Sequence, residues 1–451
     1  MAILTKLSII ILGGDRVNMI RKIGIVGLGY VGLPTALAFH NAGFHVFGVD
    51  ISDRVIDHLK KGVSPLIDQT DNLHIPNDSE RWNCETDYNI LEDCEVILIT
   101  VPTPVTKDKE PDLSYIQSAG ISVLSTIRRG KNRIIVLEST VYPGVTRNIL
   151  GAICDDMGLE IGADVTLAYC PERIDPGTEM RVGNIARVIG CDDSEIGQIL
   201  AKMYSLTTSA QSIYVGKMEV AEASKMVENL QRDIDIAMVN ELSKVLPKFE
   251  IDVEDVLMAA STKWNFKRFT PGIGVGGHCI PVDPYYYIQL ARDAGIEPIL
   301  ALSARDINES MPRVSASEVS EIVRRQKPEG SGSVLLLGYA YKADLGDTRE
   351  TPVEDLADEL IELGIKPIIW DPIVQSGAVP DRFDRIDSLN VCSSVDCVVI
   401  STAHRQVLEI DWESLKDITG CSSIYDGRRA LNKDVMSKLG WNYSGVGASS
   451  T

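Results

Sequence analysis

Short apolar runs recur along the chain, each followed by a stretch with helical spacing, and this alternation predicts parallel β-strands joined by helices. The first run, Lys22 to Val26, passes through Gly27-Leu28-Gly29-Tyr30-Val31-Gly32 into a helical pattern reaching residue 42, and a second run, His45 to Val49, ends on Asp50. Runs at 96–101, 133–137 and 165–169 continue the series. Residues 219–246 then keep helical spacing with no Gly or Pro, which predicts one long helix. A second alternating series starts near Arg313, with strands at 334–337, 367–370 and 396–401, one more before Asp426, and a helix at 352–363. The expected fold is α/β: two Rossmann-like, doubly wound parallel-sheet domains joined by a helical central domain that contains the long helix. The expected domains are 19–216, 217–312 and 313–451, with no low-complexity linker between them.

Composition narrows the class. At 451 residues the chain exceeds one ordinary core, and 44% hydrophobic with 24% charged residues is the balance of a globular protein. A formal charge of −20 argues against nucleic acid and against an anionic membrane surface as partner. The nine cysteines are odd in number and form no CxxC pair, which suits a reduced, cytoplasmic protein and argues against a structural zinc site; no metal is expected. An apolar run at 7–12 behind Lys6 imitates a signal peptide but is too short to span a bilayer. Met19-Ile20-Arg21-Lys22 leads directly into the first strand, so residues 1–18 are expected to be a non-native extension of a protein that starts at Met19.

Candidate chemistry sits at the strand ends. Strand, GxGxxG, helix, strand and acid stand at the spacing of a dinucleotide fingerprint. In it Gly27 makes the turn, Gly29 admits the pyrophosphate to backbone N–H groups, and Gly32 lets helix and strand pack. Asp50 would accept the ribose hydroxyls and repel a 2′-phosphate, favouring NAD, whereas Arg54 could meet such a phosphate. Thr103 and Thr140 follow the third and fourth strands; Thr140 is either a donor near the nicotinamide or a helix cap. Glu172, at a strand end after Pro171, is either a general base or a surface carboxylate. Lys225, Asn229 and Arg232 share one face of the long helix, which is either solvated or turned toward a site where an oxyanion develops. The stretch PGIGVGGHCIPVD at 271–283 has four glycines ahead of Cys279, and it reads either as a turn with a structural cysteine or as a loop displaying a nucleophile.

Seven motifs in order carry a resemblance over nearly the whole chain: GLGYVG at 27–32, STVYPG at 139–144, PER at 171–173, EASKMVEN at 222–229, GVGGHCIPVDP at 274–284, GYAYKADLGDTRETP at 338–352 and DGRR at 426–429. Together they resemble the UDP-glucose/GDP-mannose dehydrogenase family, and His278 and Val282 resemble its branch acting on UDP-N-acetylhexosamines. The resemblance implies an NAD-dependent four-electron oxidation of the sugar C6 alcohol to a carboxylate, with UDP-GlcNAc or UDP-ManNAc as substrate and UDP-glucose as the alternative. It implies that Cys279 carries a thiohemiacetal and then a thioester, Lys225 and Asn229 stabilise oxyanions, Glu172 assists hydrolysis, and Thr140 with Asp283 positions water or protons. It implies NAD contacts at Gly27, Gly29, Tyr30, Val31, Gly32, Asp50, Arg54, Thr103, Thr140 and Arg349. Substrate contacts are implied at Arg173, Ile174, Lys225, Asn229, Arg232, Lys263, Gly276, Tyr341, Lys342 and Arg428. It also implies a homodimer or larger homo-oligomer.

Overall fold

The computed structural model describes residues 20–66, 73–173, 185–328, 331–392 and 394–449. The expected extension at 1–18 and the substrate candidate Ile174 lie outside the described residues. Two compact units are present among the described residues, one built mainly from residues 20–228 with 285–295, the other mainly from 229–284 with 296–449.

The first unit contains an eight-stranded sheet, in the order β3-β2-β1-β4-β5-β6-β7-β8. Its strands are β1 (Lys22–Val26), β2 (His45–Val49), β3 (Trp82–Glu85), β4 (Val96–Ile99), β5 (Arg133–Leu137), β6 (Val165–Tyr169), β7 (Val188–Cys191) and β8 (Ile213–Tyr214). Neighbouring strands run parallel except β6 and β7, which pair antiparallel through Ala168 with Cys191 and Tyr169 with Gly190. The alternation of side chains explains the apolar runs: Val96 and Leu98 enter one core layer while Ile97 and Ile99 enter the layer on the other face. Helix α1 (Gly32–Asn41) follows β1, and α2 (Ser194–Ser205) is capped by the Asp193 carboxylate, which accepts from the N–H groups of Glu195 and Ile196.

The long helix α3 (Met218–Val245) follows the first sheet. After it come α4 (Asp283–Asp293) and α5 (Ile299–Gln326), which runs unbroken through Pro312 and Arg313. The sheet of the second unit is wholly parallel, in the order β11-β10-β9-β12-β13-β14. Its strands are β9 (Ser333–Leu337), β10 (Lys366–Trp370), β11 (Asp384–Arg385), β12 (Cys397–Ile400), β13 (Ser423–Asp426) and β14 (Asn442–Gly445), and α6 (Pro352–Glu362) packs beside it. The sequence pattern missed β3, β7 and β8 in the first sheet and β11 and β14 in the second; β8, β11 and β14 are short and partly exposed and carry no apolar run.

Both sheets reverse direction beside their first strand, between β1 and β4 in one and between β9 and β12 in the other. Ligands of such sheets bind beyond the strand ends at this reversal. The turns that follow β1 and β9 are therefore the places to build a nucleotide site in each unit.

Candidate active site

In the first unit the three glycines after β1 have three different physical tasks. Gly27 has φ +90°, a left-handed conformation that favours glycine. A Cβ on Gly32 would lie 1.8 Å from the Gly27 carbonyl oxygen, so only glycine lets α1 start against the turn. A Cβ on Gly29 would meet nothing within 4 Å, which leaves its backbone open to a ligand. At the end of β2 the Asp50 carboxylate accepts from the N–H of Leu28 at 2.8 Å and of Ser52 at 2.9 Å, which holds it beside that turn. An open glycine backbone flanked by a carboxylate fits the pyrophosphate and ribose of a dinucleotide. Tyr30 and Val31 are half-buried in the turn, whereas Arg54 is exposed on the helix after β2.

Thr103 and Thr140 stand half-buried beyond β4 and β5. The Thr103 carbonyl accepts from the Tyr286 hydroxyl at 3.0 Å. The turn after Thr140 is anchored by Glu222 of α3, whose buried carboxylate accepts from the N–H of Gly144 at 2.6 Å and from the N–H and hydroxyl of Thr146 at 2.9 and 2.6 Å. Glu222 was legible only as a motif position. Beyond β6, Glu172 is buried and ion-paired with the Arg187 guanidinium, while Arg173 forks onto Glu228 at 2.7 and 3.1 Å.

The face of α3 that the sequence left open between solvent and site is buried. Glu222, Lys225, Asn229, Asp233 and Asn240 are all at most 7% exposed, and Arg232 is half-buried beside them. A stripe of polar groups at helical spacing taken out of water needs partners, because each unpaired one costs free energy. Within the second unit those partners form a continuous chain. Asn240 Oδ1 accepts from the Gly272 N–H at 3.0 Å, and its Nδ2 donates to Asn308 Oδ1 at 2.8 Å. Asn308 Nδ2 donates to Asp233 Oδ1 at 2.8 Å, and Arg305 Nη1 donates to the same oxygen at 3.0 Å and to the Ile280 carbonyl at 3.2 Å. The chain thus grips the glycine loop before Gly274 and again just after Cys279. Burial pushes the Asp233 carboxyl up to about 6, although Arg305 and Asn308 oppose it. Arg305 and Asn308 lie on a different helix and left no signal in the sequence.

The loop itself requires its glycines. Gly274 and Gly277 have φ +134° and +88°. A Cβ at Gly276 would lie 2.6 Å from the Glu350 carbonyl oxygen and 2.7 Å from Tyr341, so the loop packs directly on the segment after β9. Cys279 follows, its carbonyl accepting from the N–H of Asp283 at 2.8 Å and of Val282 at 3.1 Å at the threshold of α4. The buried Asp283 carboxylate accepts from Asn229 Nδ2. Of the nine cysteines, eight are buried and Cys279 is half-buried. Burial pushes the thiols of Cys84 and Cys94 up to about 12 and those of Cys154 and Cys191 up to about 11, and it raises Cys170, Cys392, Cys397 and Cys421 as well. A thiol held in its neutral form is a poor nucleophile, so burial removes the other eight from contention.

Around this loop the second unit gathers Gly276, Tyr341 and Arg428. Arg428 Nε donates to the Ser401 carbonyl at 2.6 Å and Nη1 to the Gly274 carbonyl at 3.4 Å, while Nη2 is buried with no hydrogen-bond partner among the described residues. Burial lowers this guanidinium to about 10. A buried cation with a spare donor beside a sheet reversal suits an anionic ligand. Lys342 is half-buried in the turn after β9. The Asp371 carboxylate holds that turn, accepting from the N–H of Tyr339 at 2.6 Å, of Ala340 at 3.1 Å and from His404 Nε2 at 3.0 Å. Burial alone would raise Asp371, but His404 and the backbone N–H groups hold it well below the usual carboxylate range. Arg349 is exposed and forks onto Asp347, and Lys263 is exposed in the turn after the helix Val253–Ala260.

Known proteins share this organisation. The NAD binding, central and UDP binding domain models of the UDP-glucose/GDP-mannose dehydrogenase family match residues 21–208, 219–310 and 335–433. The chain is 35% identical over 399 residues to a UDP-N-acetyl-D-glucosamine 6-dehydrogenase of Salmonella typhi, covering 88% of this chain and 92% of the relative. It is 32% identical over 433 residues to a UDP-N-acetyl-D-mannosamine dehydrogenase of Pyrococcus horikoshii, covering 94% and 99%. A solved structure of UDP-D-ManNAc dehydrogenase from Pyrococcus horikoshii superposes with a TM-score of 0.85 at 30% identity, covering 95% of this chain and all of that one.

Proposed function

Because the chain belongs to the UDP-glucose/GDP-mannose dehydrogenase family, whose members are NAD-dependent nucleotide-sugar dehydrogenases, we propose that it oxidises C6 of a UDP-N-acetylhexosamine, UDP-GlcNAc or UDP-ManNAc, to the uronate. The observation that carries the mechanism is the placement of Cys279 behind a glycine loop pinned at both ends, the one cysteine of nine that is not buried. The turn after β1 and Asp50 would hold NAD, which would supply the two-electron oxidant for each of two successive oxidations.

The first oxidation takes the C6 alcohol to an aldehyde. An aldehyde carries no second oxidisable C–O–H until a nucleophile adds to it, and this is the task of the Cys279 thiolate. Its sulfur bonds to C6 to give a thiohemiacetal, whose oxidation leaves a thioester. Water then attacks the thioester carbonyl, Glu172 takes the proton from that water, the C–S bond breaks, and thiolate and carboxylate are released. In this reading Lys225 and Asn229 donate to the C6 oxygen as it becomes negative, and the loss of one such donor costs roughly 10²-fold or more in turnover. Asp283 holds Asn229, and Thr140 positions water or protons. Arg173, Arg232, Lys263, Gly276, Tyr341, Lys342 and Arg428 hold the UDP-sugar, and Thr103, Arg54 and Arg349 contribute to the cofactor. Residues 19–216 serve NAD, 217–312 the chemistry and dimerisation, and 313–451 the UDP-sugar. The protein works in the cytoplasm as a homodimer or larger.

The test is NADH yield per sugar, with UDP-GlcNAc, UDP-ManNAc, UDP-GalNAc and UDP-glucose offered separately to wild type and Cys279→Ala. About two NADH per acetamido sugar, lost in the variant, supports the four-electron route. A variant that still turns over fully, or one NADH per sugar, rejects that route, and a preference for UDP-glucose rejects the acetamido substrate.

A further inference from the structure

Glu138, the last residue before the Ser139-Thr140 turn, is a buried carboxylate with no part in the chemistry above, and its side chain is fully buried. Its Oε1 accepts from the Tyr204 hydroxyl of α2 at 2.6 Å, while Oε2 is buried without a hydrogen bond and lies 4.0 Å from Arg187 Nη1. The other arm of the same guanidinium, Nη2, is ion-paired with Glu172. Arg187 is itself 2% exposed, donates from Nη1 to the Pro171 carbonyl at 3.4 Å, and stacks over the Tyr204 ring with 5.8 Å to its centroid. One buried cation therefore stands between two buried carboxylates. The further titratable group facing Glu138 is the Cys170 thiol, raised well above its ordinary value by burial.

This arrangement bears on a difficulty in the proposed chemistry. A carboxylate ion-paired in low dielectric with a guanidinium of its own is stabilised as the anion and is a poor proton acceptor. A second carboxylate competing for that guanidinium restores basicity to the first. We propose that Glu138, acting through Arg187, is a tuning residue that keeps Glu172 basic enough to take the proton from the hydrolytic water. The proposal rests on the reading of Glu172 as that base. In the step concerned, a water O–H bond breaks toward Glu172, the water oxygen bonds to the thioester carbon, and the electron pair of the C–S bond returns to Cys279.

The sign follows from the charges. When Glu138 is ionised, its negative charge disfavours the anion of Glu172 and divides the pull of Arg187. When Glu138 is neutral, Arg187 serves Glu172 alone and the base weakens. Burial, opposed by Arg187 and reinforced by Glu172, pushes the Glu138 carboxyl up to about 7, so the switch lies near neutral pH. Tyr204 favours the ionised form by donating to it, so its loss acts in the same direction as neutralising Glu138.

The experiment follows decay of the Cys279 thioester by intact mass after a single turnover with NAD and whichever UDP-N-acetylhexosamine the enzyme accepts, from pH 5 to 9. Wild type, Glu138→Gln, Tyr204→Phe and Glu172→Gln are compared. Glu138→Gln preserves shape and the Tyr204 hydrogen bond. Below about pH 6 its hydrolysis rate is expected to match wild type, and above about pH 8 it is expected to lack the several-fold rise that follows ionisation of Glu138 through about 7. Tyr204→Phe, which removes the donor to ionised Glu138, is expected to move that rise to higher pH, and it provides an independent reading of the same coupling. Glu172→Gln is expected to accumulate thioester at every pH. If Glu172→Gln is disabled and the other two variants titrate like wild type, the tuning role is wrong and the base assignment stands. If Glu172→Gln hydrolyses the thioester within about twofold of wild type, the base assignment fails and the tuning role with it.

Discussion

The chain of buried polar groups behind the cysteine loop makes a quantitative prediction. Replacing Asp233 by Ala strips the Arg305 guanidinium, whose side chain is 3% exposed, of its carboxylate at 3.0 Å. It leaves the Ile280 carbonyl at 3.2 Å and the Glu309 carboxylate at 3.8 Å, the latter 41% exposed and therefore weak. Removing one partner of a buried pair costs about 3–5 kcal/mol, since the desolvation of the other is no longer offset. Replacing both partners with apolar groups, as in Asp233→Leu with Arg305→Met, avoids that cost, and most of the stability should return. What does not return is the donor to the Ile280 carbonyl, one residue beyond Cys279. Hydrogen exchange of the segment 270–282, whose amides at Gly272, Ile273 and Gly277 are hydrogen-bonded, reads the opening free energy directly. The single variant should exchange about two to four decades faster than wild type, and the double variant within about one decade of it. Turnover should separate from stability: the double variant should fold and yet release aldehyde, with its NADH per sugar falling from about two toward one. A single variant as stable as the double, or a double variant with full yield, would refute the view that this network exists to place the cysteine.

The same carboxyl sets a pH dependence. Burial raises Asp233 from 3.8 to about 6, so the folded protein holds the proton more tightly, and this group's contribution to stability declines as pH rises through about 4 to 6 and is level above 7; the double variant, measured by the same exchange, should lack the slope. Asp371 has the opposite sign: its folded-state carboxyl is held below its ordinary 3.8, so its stabilisation is present above about pH 4 and is lost as pH falls further. Asp371→Asn should therefore cost stability at pH 7 in urea unfolding, and the gap from wild type should close in acid. Gly32→Ala places a Cβ 1.8 Å from a carbonyl oxygen and should lower the melting temperature, whereas Gly29→Ala meets nothing within 4 Å and should leave it unchanged while weakening NAD binding in calorimetry. Arg428→Gln removes a buried donor and should raise KM for the UDP-sugar about tenfold or more with little change in KM for NAD.

Local pattern determined much of this protein. The apolar runs became strands at nearly their expected limits because central strands of a doubly wound sheet are buried on both faces, and that burial leaves its mark on every residue. The turn after β1 was legible for the same reason, since Gly27, Gly29 and Gly32 each answer a constraint that acts within one βαβ unit. The cysteine loop was legible as a choice between turn and nucleophile, and burial of the other eight cysteines, which no local pattern reports, is what supports the second reading. The face of α3 remained undecided because a helix reports its own periodicity and not what lies against it. Only the tertiary structure showed that Glu222 anchors the turn after Thr140 and that Asp233 and Asn240 join Asn308 and Arg305 behind the loop. The pairing of Glu172 and Glu138 through Arg187 is of the same kind. Hydrogen bonds between residues 68 to 78 positions apart, and ion pairs 15 and 49 apart, obey distance in space, for which a single sequence carries no period or spacing, so tertiary structure alone could supply them.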